Sequence, residues 1–408
     1  MGRIRLTVPG RVLASVWLPS SKSIGNRLLL LRALSGGEGE IARIPDCDDS
    51  LALRRGLVES ACAVNVGAAG TAMRFLTAYC ASNPGRIVTI DGSERMRERP
   101  IGVLVDALRR LGADITYGGR EGFPPLRIVG KSLSGTDLVL PGDVSSQYVS
   151  ALMMILPTIG GGTLHLTGEI ISRPYIDMTR QLMEQMGVRC SFEGNTVTVP
   201  AGKYVWHDCA VEGDWSAASY WFAMAALMPD SDIVLKGLNE ESLQGDNLVR
   251  NLFRALGVKA RFEDNGLHLT NTPVCQCPYF ADLADTPDLA QTIVVVCCLQ
   301  GRPFCITGLR SLRIKETDRL EALRSELAKL GYAITIEGND ALSWNRQRVE
   351  PMPESRIATY HDHRMAMAFA PAAICHPGLV IEDPEVVSKS YPEFWEHLQA
   401  AGFVCQPV

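Results

Sequence analysis

The sequence predicts an α/β (α+β) protein assembled from six copies of one unit, the first of them cut short. Three observations carry that prediction. A phrase made of an amphipathic helix, a hydrophobic–Gly pair and an alternating strand returns about every 70 to 75 residues. A second series of helices, apolar on nearly every side, interleaves with the first. Pairs of Gly and Asn between short alternating runs mark hairpins after several of the phrases.

Taken in chain order, Met1-Gly2-Arg3-Ile4-Arg5 runs straight into a strand-like pattern, with no signal-peptide core or cleavage site. The first apolar helix starts near Lys22, and Leu53-Arg-Arg-Gly56 reads as the end of its amphipathic partner. No hairpin follows before Gly67, so the first unit lacks its second half. The phrase then appears as VDALRRLGADITY around Gly112, TRQLMEQMGVRCSF around Gly187 and VRNLFRALGVKARF around Gly257. It returns as RSELAKLGYAITI around Gly331 and WEHLQAAGFVCQ around Gly402. Apolar residues recur at spacings of three and four, and Gly falls where a helix C-cap takes a left-handed residue. Gly194-Asn195, Asn265-Gly266 and Gly338-Asn339 supply the hairpin turns. The other apolar helices start near Thr71, Ser145, Asp214, Asp288 and His363. Runs such as Ala151–Leu156 and Ile293–Leu299 have no polar face, which places them in the interior.

With 408 residues the chain has room for two or three domains. A net charge of -5 argues against a general nucleic-acid binder. No apolar run approaches the roughly 20 residues that span a bilayer. The twelve cysteines are scattered, and Cys47, Cys62 and Cys80 read as interior. Cys275 and Cys277 form a C-x-C pair, but nothing supplies the second half of a zinc site. A reduced, cytoplasmic thiol inventory is expected.

Polar clusters stand where apolar helices begin. They are Pro19-Ser-Ser-Lys-Ser-Ile-Gly-Asn-Arg27, Gly67-Ala-Ala-Gly-Thr-Ala-Met-Arg74 and Asp143-Val-Ser-Ser-Gln147. Helix N-termini favour anions, hydroxyls donate hydrogen bonds, and Lys22, Arg27 and Arg74 add countercharge. N-capping alone explains any one cluster. Three at equivalent positions point to phosphate or carboxylate ligands. A P-loop is excluded, because the Gly required five residues before Gly130-Lys131-Ser132 is Pro125.

Ionisable groups concentrate in the second half. Asp288 opens an apolar helix, where a carboxylate also serves as a cap. Arg313-Ile-Lys-Glu-Thr-Asp-Arg-Leu320 precedes an amphipathic helix and places Lys315 and Arg319 four residues apart on one face. Two cations there oppose the helix dipole, so a bound anion is the better explanation. His361-Asp-His-Arg364 lacks a third ligand at a recognisable spacing, so no metal is expected. Arg99 and Lys389 read alone as surface charges.

These segments resemble the 5-enolpyruvylshikimate-3-phosphate synthase family, the 3-phosphoshikimate 1-carboxyvinyltransferases. The resemblance covers essentially the whole chain and rests on PSSKSIGNR, GTAMR, RMRERP, SSQ, SRPYID, EGDWSAASY, PDLAQT, RIKETDRL, DHRMAMA and Lys389. It implies two domains of three βαβαββ units each, an inside-out, barrel-like α/β arrangement. The split it implies is 1-18 with 214-408 against 19-213, with the active site in the interdomain cleft. The implied reaction moves the enolpyruvyl group of phosphoenolpyruvate to the 5-hydroxyl of shikimate 3-phosphate and releases phosphate. By the match, shikimate 3-phosphate lies on Lys22, Ser23, Arg27, Ser145, Ser146, Gln147, Ser172, Asp288 and Lys315, with Tyr175 as a further neighbour. Phosphoenolpyruvate lies on Lys22, Gly70, Thr71, Arg99, Gln147, Arg319, Arg364 and Lys389. Asp288 is the expected base, and Glu316 or Lys22 protonates the methylene. No metal or organic cofactor is implied. The implied partners are these small molecules, without nucleic acid or membrane, for a cytoplasmic monomer inhibited by glyphosate.

Departures from the family pattern are Ala68 for a usual Asn, Phe75 for a common Pro, Ser311 for a longer polar residue and Arg173 for a frequent Lys. Sugar-nucleotide enolpyruvyl transferases share the fold and donor, but commonly carry a Cys in the loop that here reads Glu94-Arg-Met-Arg-Glu-Arg99. A non-catalytic anion-binding paralogue is the other alternative.

Overall fold

The computed structural model describes residues 2–228, 230–353 and 356–408. Two compact units divide the chain: one runs to Ser20 and resumes over Glu212–Val408, the other is Ser21–Val211. The crossings therefore fall at 20/21 and 211/212, against the expected 18/19 and 213/214.

Six sheets repeat along the described residues, and five of them are four-stranded with a single plan. One parallel pair is followed by two antiparallel neighbours, as the hairpins require. In the Ser21–Val211 unit, Ala63–Asn65 pairs parallel with Ile87–Asp91, and the hairpin Asp114–Tyr117 with Leu126–Val129 completes the sheet. The sixth sheet has only two strands, Ile41–Ala42 parallel to Cys209–Ala210. The first repeat thus keeps its parallel pair and lacks both antiparallel strands. In the larger unit, Arg3–Thr7 lies between Val380–Glu382 and Val404–Pro407, so the first strand of the chain is interior to the last sheet.

Apolar helices fill the middle of each unit because they have no face that water would accept. Lys22–Ser35, Gly70–Ala81 and Ser146–Ile155 pack together in one; Trp215–Leu227, Ala290–Leu299 and His363–Phe369 do so in the other. The amphipathic helices Gly102–Arg110, Arg173–Gln185, Val249–Arg254, Arg319–Lys329 and Phe394–Ala400 alternate with them. The glycines that follow, Gly112, Gly187, Gly257, Gly331 and Gly402, all have φ between 84 and 99°. One helix start differs from expectation. Asp288 lies in a 3-10 turn, Pro287–Leu289, ahead of the Ala290–Leu299 helix, and its side chain does not cap that helix.

The shortened repeat is closed by substitutes for its missing strands. Its amphipathic helix is Asp48–Leu57. The buried Arg86 donates from Nη2 to the carbonyls of Gly56 at 2.5 Å and Val58 at 3.1 Å, satisfying the helix end. The Tyr79 ring lies 5.6 Å from the same guanidinium. Gly56 lets this helix approach Gly70–Ala81, since a Cβ there would fall 2.2 Å from Leu76 Cδ1. Trp206 covers Gly37 and Gly39 in the loop after the first helix. The link that leaves the repeat has no such cover. Cys62, expected inside, is exposed there, while Cys47 and Cys80 are buried as expected.

Replacing Arg86 with Leu removes both bonds to the helix end. Charge-assisted bonds of this kind contribute about 1.5–3 kcal/mol, so the unfolding midpoint in urea should fall accordingly. A variant as stable as the parent would mean that water satisfies those carbonyls.

Candidate functional site

In the larger unit, one guanidinium gathers the ionisable residues. Asp318 caps the Arg319–Lys329 helix, its carboxylate accepting from the Leu320 and Glu321 N–H groups. The helix therefore begins at Arg319, which turns inward and is only 1% exposed. A charge so deep requires close counterions. Asp362 provides two contacts, to Arg319 Nε at 2.7 Å and Nη2 at 3.3 Å. Asp288 accepts from Nη1 at 2.9 Å and Glu316 from Nη2 at 3.0 Å. Burial works against the Arg319 charge, but Asp362, Glu316 and Asp288 outweigh it and hold its pKa above the usual arginine value.

The same carboxylates hold three further cations. Arg364 Nη2 donates to Asp288 Oδ2 at 2.9 Å and to Ser216 Oγ at 3.3 Å. Lys315 Nζ stands 3.7 Å from Asp288, and Lys389 Nζ stands 3.4 Å from Glu316. Arg319, Arg364, Lys315 and Lys389 thus all meet the carboxylates of Asp288, Glu316 and Asp362. Burial raises the Asp288 pKa, yet Arg364, Lys315 and Arg319 together drive it well below the usual carboxylate range. Asp246 sits behind the cluster and accepts a hydrogen bond from Ser216. Burial, then the Asp288 charge, pushes its pKa up to about 7.

Two expectations about this region change. Lys315 and Arg319 do not share a helix face, because Lys315 is extended and precedes the helix. They meet on Asp288 instead, and Asp288, Glu316 and Asp362 are the carboxylate partners of Arg319. Arg99 and Lys389 are not surface charges either; both are buried.

In the Ser21–Val211 unit the matched residues gather at helix starts. Lys22 opens the first helix and pairs with Asp49, at the start of the second, at 2.9 Å. Gln147 Nε2 donates to Thr71 Oγ1 at 3.3 Å. Gly70 is covered by Arg99, whose Nη2 would lie 2.8 Å from an added Cβ. Capping is real here too: the hydroxyls of Ser21 and Ser145 accept from the N–H groups of Ile24 and Gln147. Ser146 and Ser172 are buried, and Ser172 holds a left-handed φ of 55°, which costs a non-glycine residue strain.

Two arginines expected to offer countercharge are buried and also bond to the protein. Arg74 donates to the carbonyls of Gly70 at 3.3 Å and Pro100 at 2.8 Å, tying the loop that carries Arg99 to its helix. Arg27 donates to Thr179 Oγ1, Ser150 Oγ and the carbonyls of Ser23 and Tyr175. Burial lowers its pKa to about 10, and the Phe75 ring lies 5.6 Å away. The sequence reading missed Asp49, Asp246 and Ser216, and saw Asp362 only beside two histidines. Asp362 caps His363–Phe369 through the Arg364 N–H, a signal visible as Asp ahead of an apolar run. Among the described residues no group of three or more His, Cys, Asp or Glu is placed to hold a metal ion. No described helix is long and apolar enough to cross a membrane.

A family model described as EPSP synthase (3-phosphoshikimate 1-carboxyvinyltransferase) matches residues 51–398. The chain is 50% identical over 403 residues to a 3-phosphoshikimate 1-carboxyvinyltransferase of Bacteroides fragilis, covering 98% of each. It is 39% identical over 415 residues to that of Cellvibrio japonicus, covering 94% of this chain and 95% of the relative. A solved structure of EPSP synthase from Acinetobacter baumannii superposes with a TM-score of 0.79 over 100% of both chains, at 20% identity, and so shares the fold.

The raised pKa of Asp246 has a stability consequence. Between about pH 4 and pH 7 the folded chain keeps this proton after the unfolded chain has released it. Its contribution is fully present below that window and is lost as pH rises through it. Asp246→Asn should therefore flatten the decline in melting temperature from pH 5 to pH 8, gaining up to about 4 kcal/mol at the upper end. Parallel declines in parent and variant would place the proton elsewhere.

Proposed function

The chain belongs to the EPSP synthase family, and we propose on that premise that it moves the enolpyruvyl group of phosphoenolpyruvate onto the 5-hydroxyl of shikimate 3-phosphate. The observation that supports this most directly is Asp288 clasped by Arg319, Arg364 and Lys315. Arg319 and Arg364, with Lys389, suit a donor that brings both a carboxylate and a phosphate. Lys22, Thr71, Arg99 and Gln147 of the other unit supply the remaining donor contacts in this reading. Ser23, Arg27, Ser145, Ser146 and Ser172 join Lys22, Gln147, Asp288 and Lys315 around the shikimate ester. The reading requires both sets of residues to act on one substrate pair. It also carries a cytoplasmic monomer without metal, nucleic-acid or membrane partner. The sugar-nucleotide alternative is not favoured, since the relatives above bear the shikimate name.

The chemistry then follows from charge. A carboxylate held by three cations is a weak base. Anionic substrates that take a share of those cations loosen their hold, and the basicity of Asp288 rises only when the site is filled. Asp288 accepts the 5-hydroxyl proton as its oxygen bonds to C2 of phosphoenolpyruvate. The methylene gains a proton from Glu316 or Lys22, giving a tetrahedral ketal phosphate. Loss of a methyl proton re-forms the double bond, the C2–O bond to phosphate breaks, and phosphate leaves. Lys22 is paired with Asp49, and Glu316 with Lys389 and Arg319.

Phosphate release from phosphoenolpyruvate that depends on shikimate 3-phosphate tests the function. Asp288→Asn should lower turnover by about 10²–10⁴-fold, the range for a lost general base, with the fold retained by circular dichroism. Near-parental turnover would remove Asp288 from proton transfer. No phosphate release by the parent would leave the anion-binding paralogue.

Gly70→Ala should act through Arg99. The new methyl meets the guanidinium, so Arg99 must shift, and a longer inhibitor such as glyphosate should lose more affinity than phosphoenolpyruvate. Overpacking of about 1–3 kcal/mol corresponds to roughly ten- to hundredfold in the ratio of glyphosate inhibition constant to phosphoenolpyruvate KM. An unchanged ratio would take Gly70 out of the donor pocket.

A further inference from the structure

The repeat that lacks its hairpin holds a groove that the proposed reaction does not use. It opens between the Lys22–Ser35 and Asp48–Leu57 helices and encloses about 500 Å³. That volume lies within the range of small-molecule pockets. Its apolar wall is Leu29, Leu51, Leu57 and Val58, and the only charges lining it are Arg32, Arg54 and Arg55. In the five complete repeats two antiparallel strands extend the sheet; here the sheet stops at two strands. The shortening leaves this repeat without the hairpin that the other five carry. That loss does not explain apolar residues at half-buried and exposed positions such as Leu57 and Val58, where water would favour polar ones.

The arginines have one alternative explanation. Arg32 stands in the last turn of one helix, and Arg54 and Arg55 in the last turn of the other, where cations offset the dipole. A dipole effect does not require both helix ends to face one apolar hollow, nor the absence of acidic side chains among its lining residues. Arg54 and Arg55 are exposed, and Arg32 makes only a long 3.4 Å bond to the Gly39 carbonyl.

We propose that this groove binds a small organic anion with an apolar body, its carboxylate or sulfonate on Arg32, Arg54 and Arg55 and its hydrocarbon on Leu29, Leu51, Leu57 and Val58. Neither half suffices alone. Exposed guanidinium contacts to a bare anion are weak, and an uncharged apolar ligand leaves the arginine rim unused.

The test is calorimetric titration of the full chain with 3-phenylpropanoate, with acetate and 3-phenylpropanol as probes of the two halves. Phenylpropanoate should bind at least tenfold more tightly than either. The double variant Arg54→Glu/Arg55→Glu, and separately Val58→Trp, which fills the mouth, should each weaken it at least tenfold without lowering the melting temperature. Absence of binding, equal binding of the alcohol, or binding that survives in both variants would overturn the proposal. So would a chain that ignores phenylpropanoate but sediments with anionic vesicles, which would assign the face to a membrane surface.

Discussion

Arg319 is the contact on which the larger unit's chemistry is hung. A guanidinium that is almost wholly buried is tolerated only if carboxylates surround it, and each carboxylate that does so belongs to a different segment. Asp362 is simultaneously the cap of His363–Phe369. Asp288 comes from the turn ahead of Ala290–Leu299, and Glu316 from the segment ahead of Arg319's own helix. The positions of three helix starts are therefore set by one side chain. Removing any single partner leaves an excess of buried positive charge, so the cluster tolerates loss of its parts badly. The same arrangement holds the basicity of Asp288 down.

Helix and strand periodicity made most of the fold legible. Residues such as Gly112 and Gly331 announce helix ends because only glycine takes a positive φ without strain, and that requirement is local. The missing hairpin was equally visible, since absent residues leave a shortened interval. Ion pairing was not legible, because it depends on which distant segments meet. Lys315 and Arg319 looked like helix-face neighbours by spacing, yet they meet on a carboxylate from a turn near residue 288. Arg27 and Arg74 carried the same sequence signal as Arg319, and only their surroundings show that they mainly hold neighbouring carbonyls and hydroxyls. A basic residue near a helix start indicates a site or a brace with equal force until its partners are known.

The first repeat shows how much of a unit can be lost. Its parallel strand pair persists as two residues on each side, and its two helices remain. Arg86 replaces backbone bonds at the end of one helix, and Trp206 replaces side-chain cover along the preceding loop. Both substitutes come from elsewhere in the same compact unit. The retained helices carry both ends of the Asp49–Lys22 pair.

The placement of Arg3–Thr7 inside the last sheet sets the order of assembly during synthesis. The strand leaves the ribosome before the Ser21–Val211 unit, but its neighbours Val380–Glu382 and Val404–Pro407 leave after it. Until then its edges are open, and the Ser21–Val211 unit, whose chain is continuous, has every partner it needs. Vectorial folding should thus complete the inserted unit while the larger one waits, holding an unpaired strand that is exposed to mispairing. Val408 N already donates to the Arg3 carbonyl at 3.1 Å, so residues 3 and 408 lie side by side. A circular permutant that joins them and opens the chain at the 211/212 crossing would present each unit to the ribosome as one uninterrupted stretch.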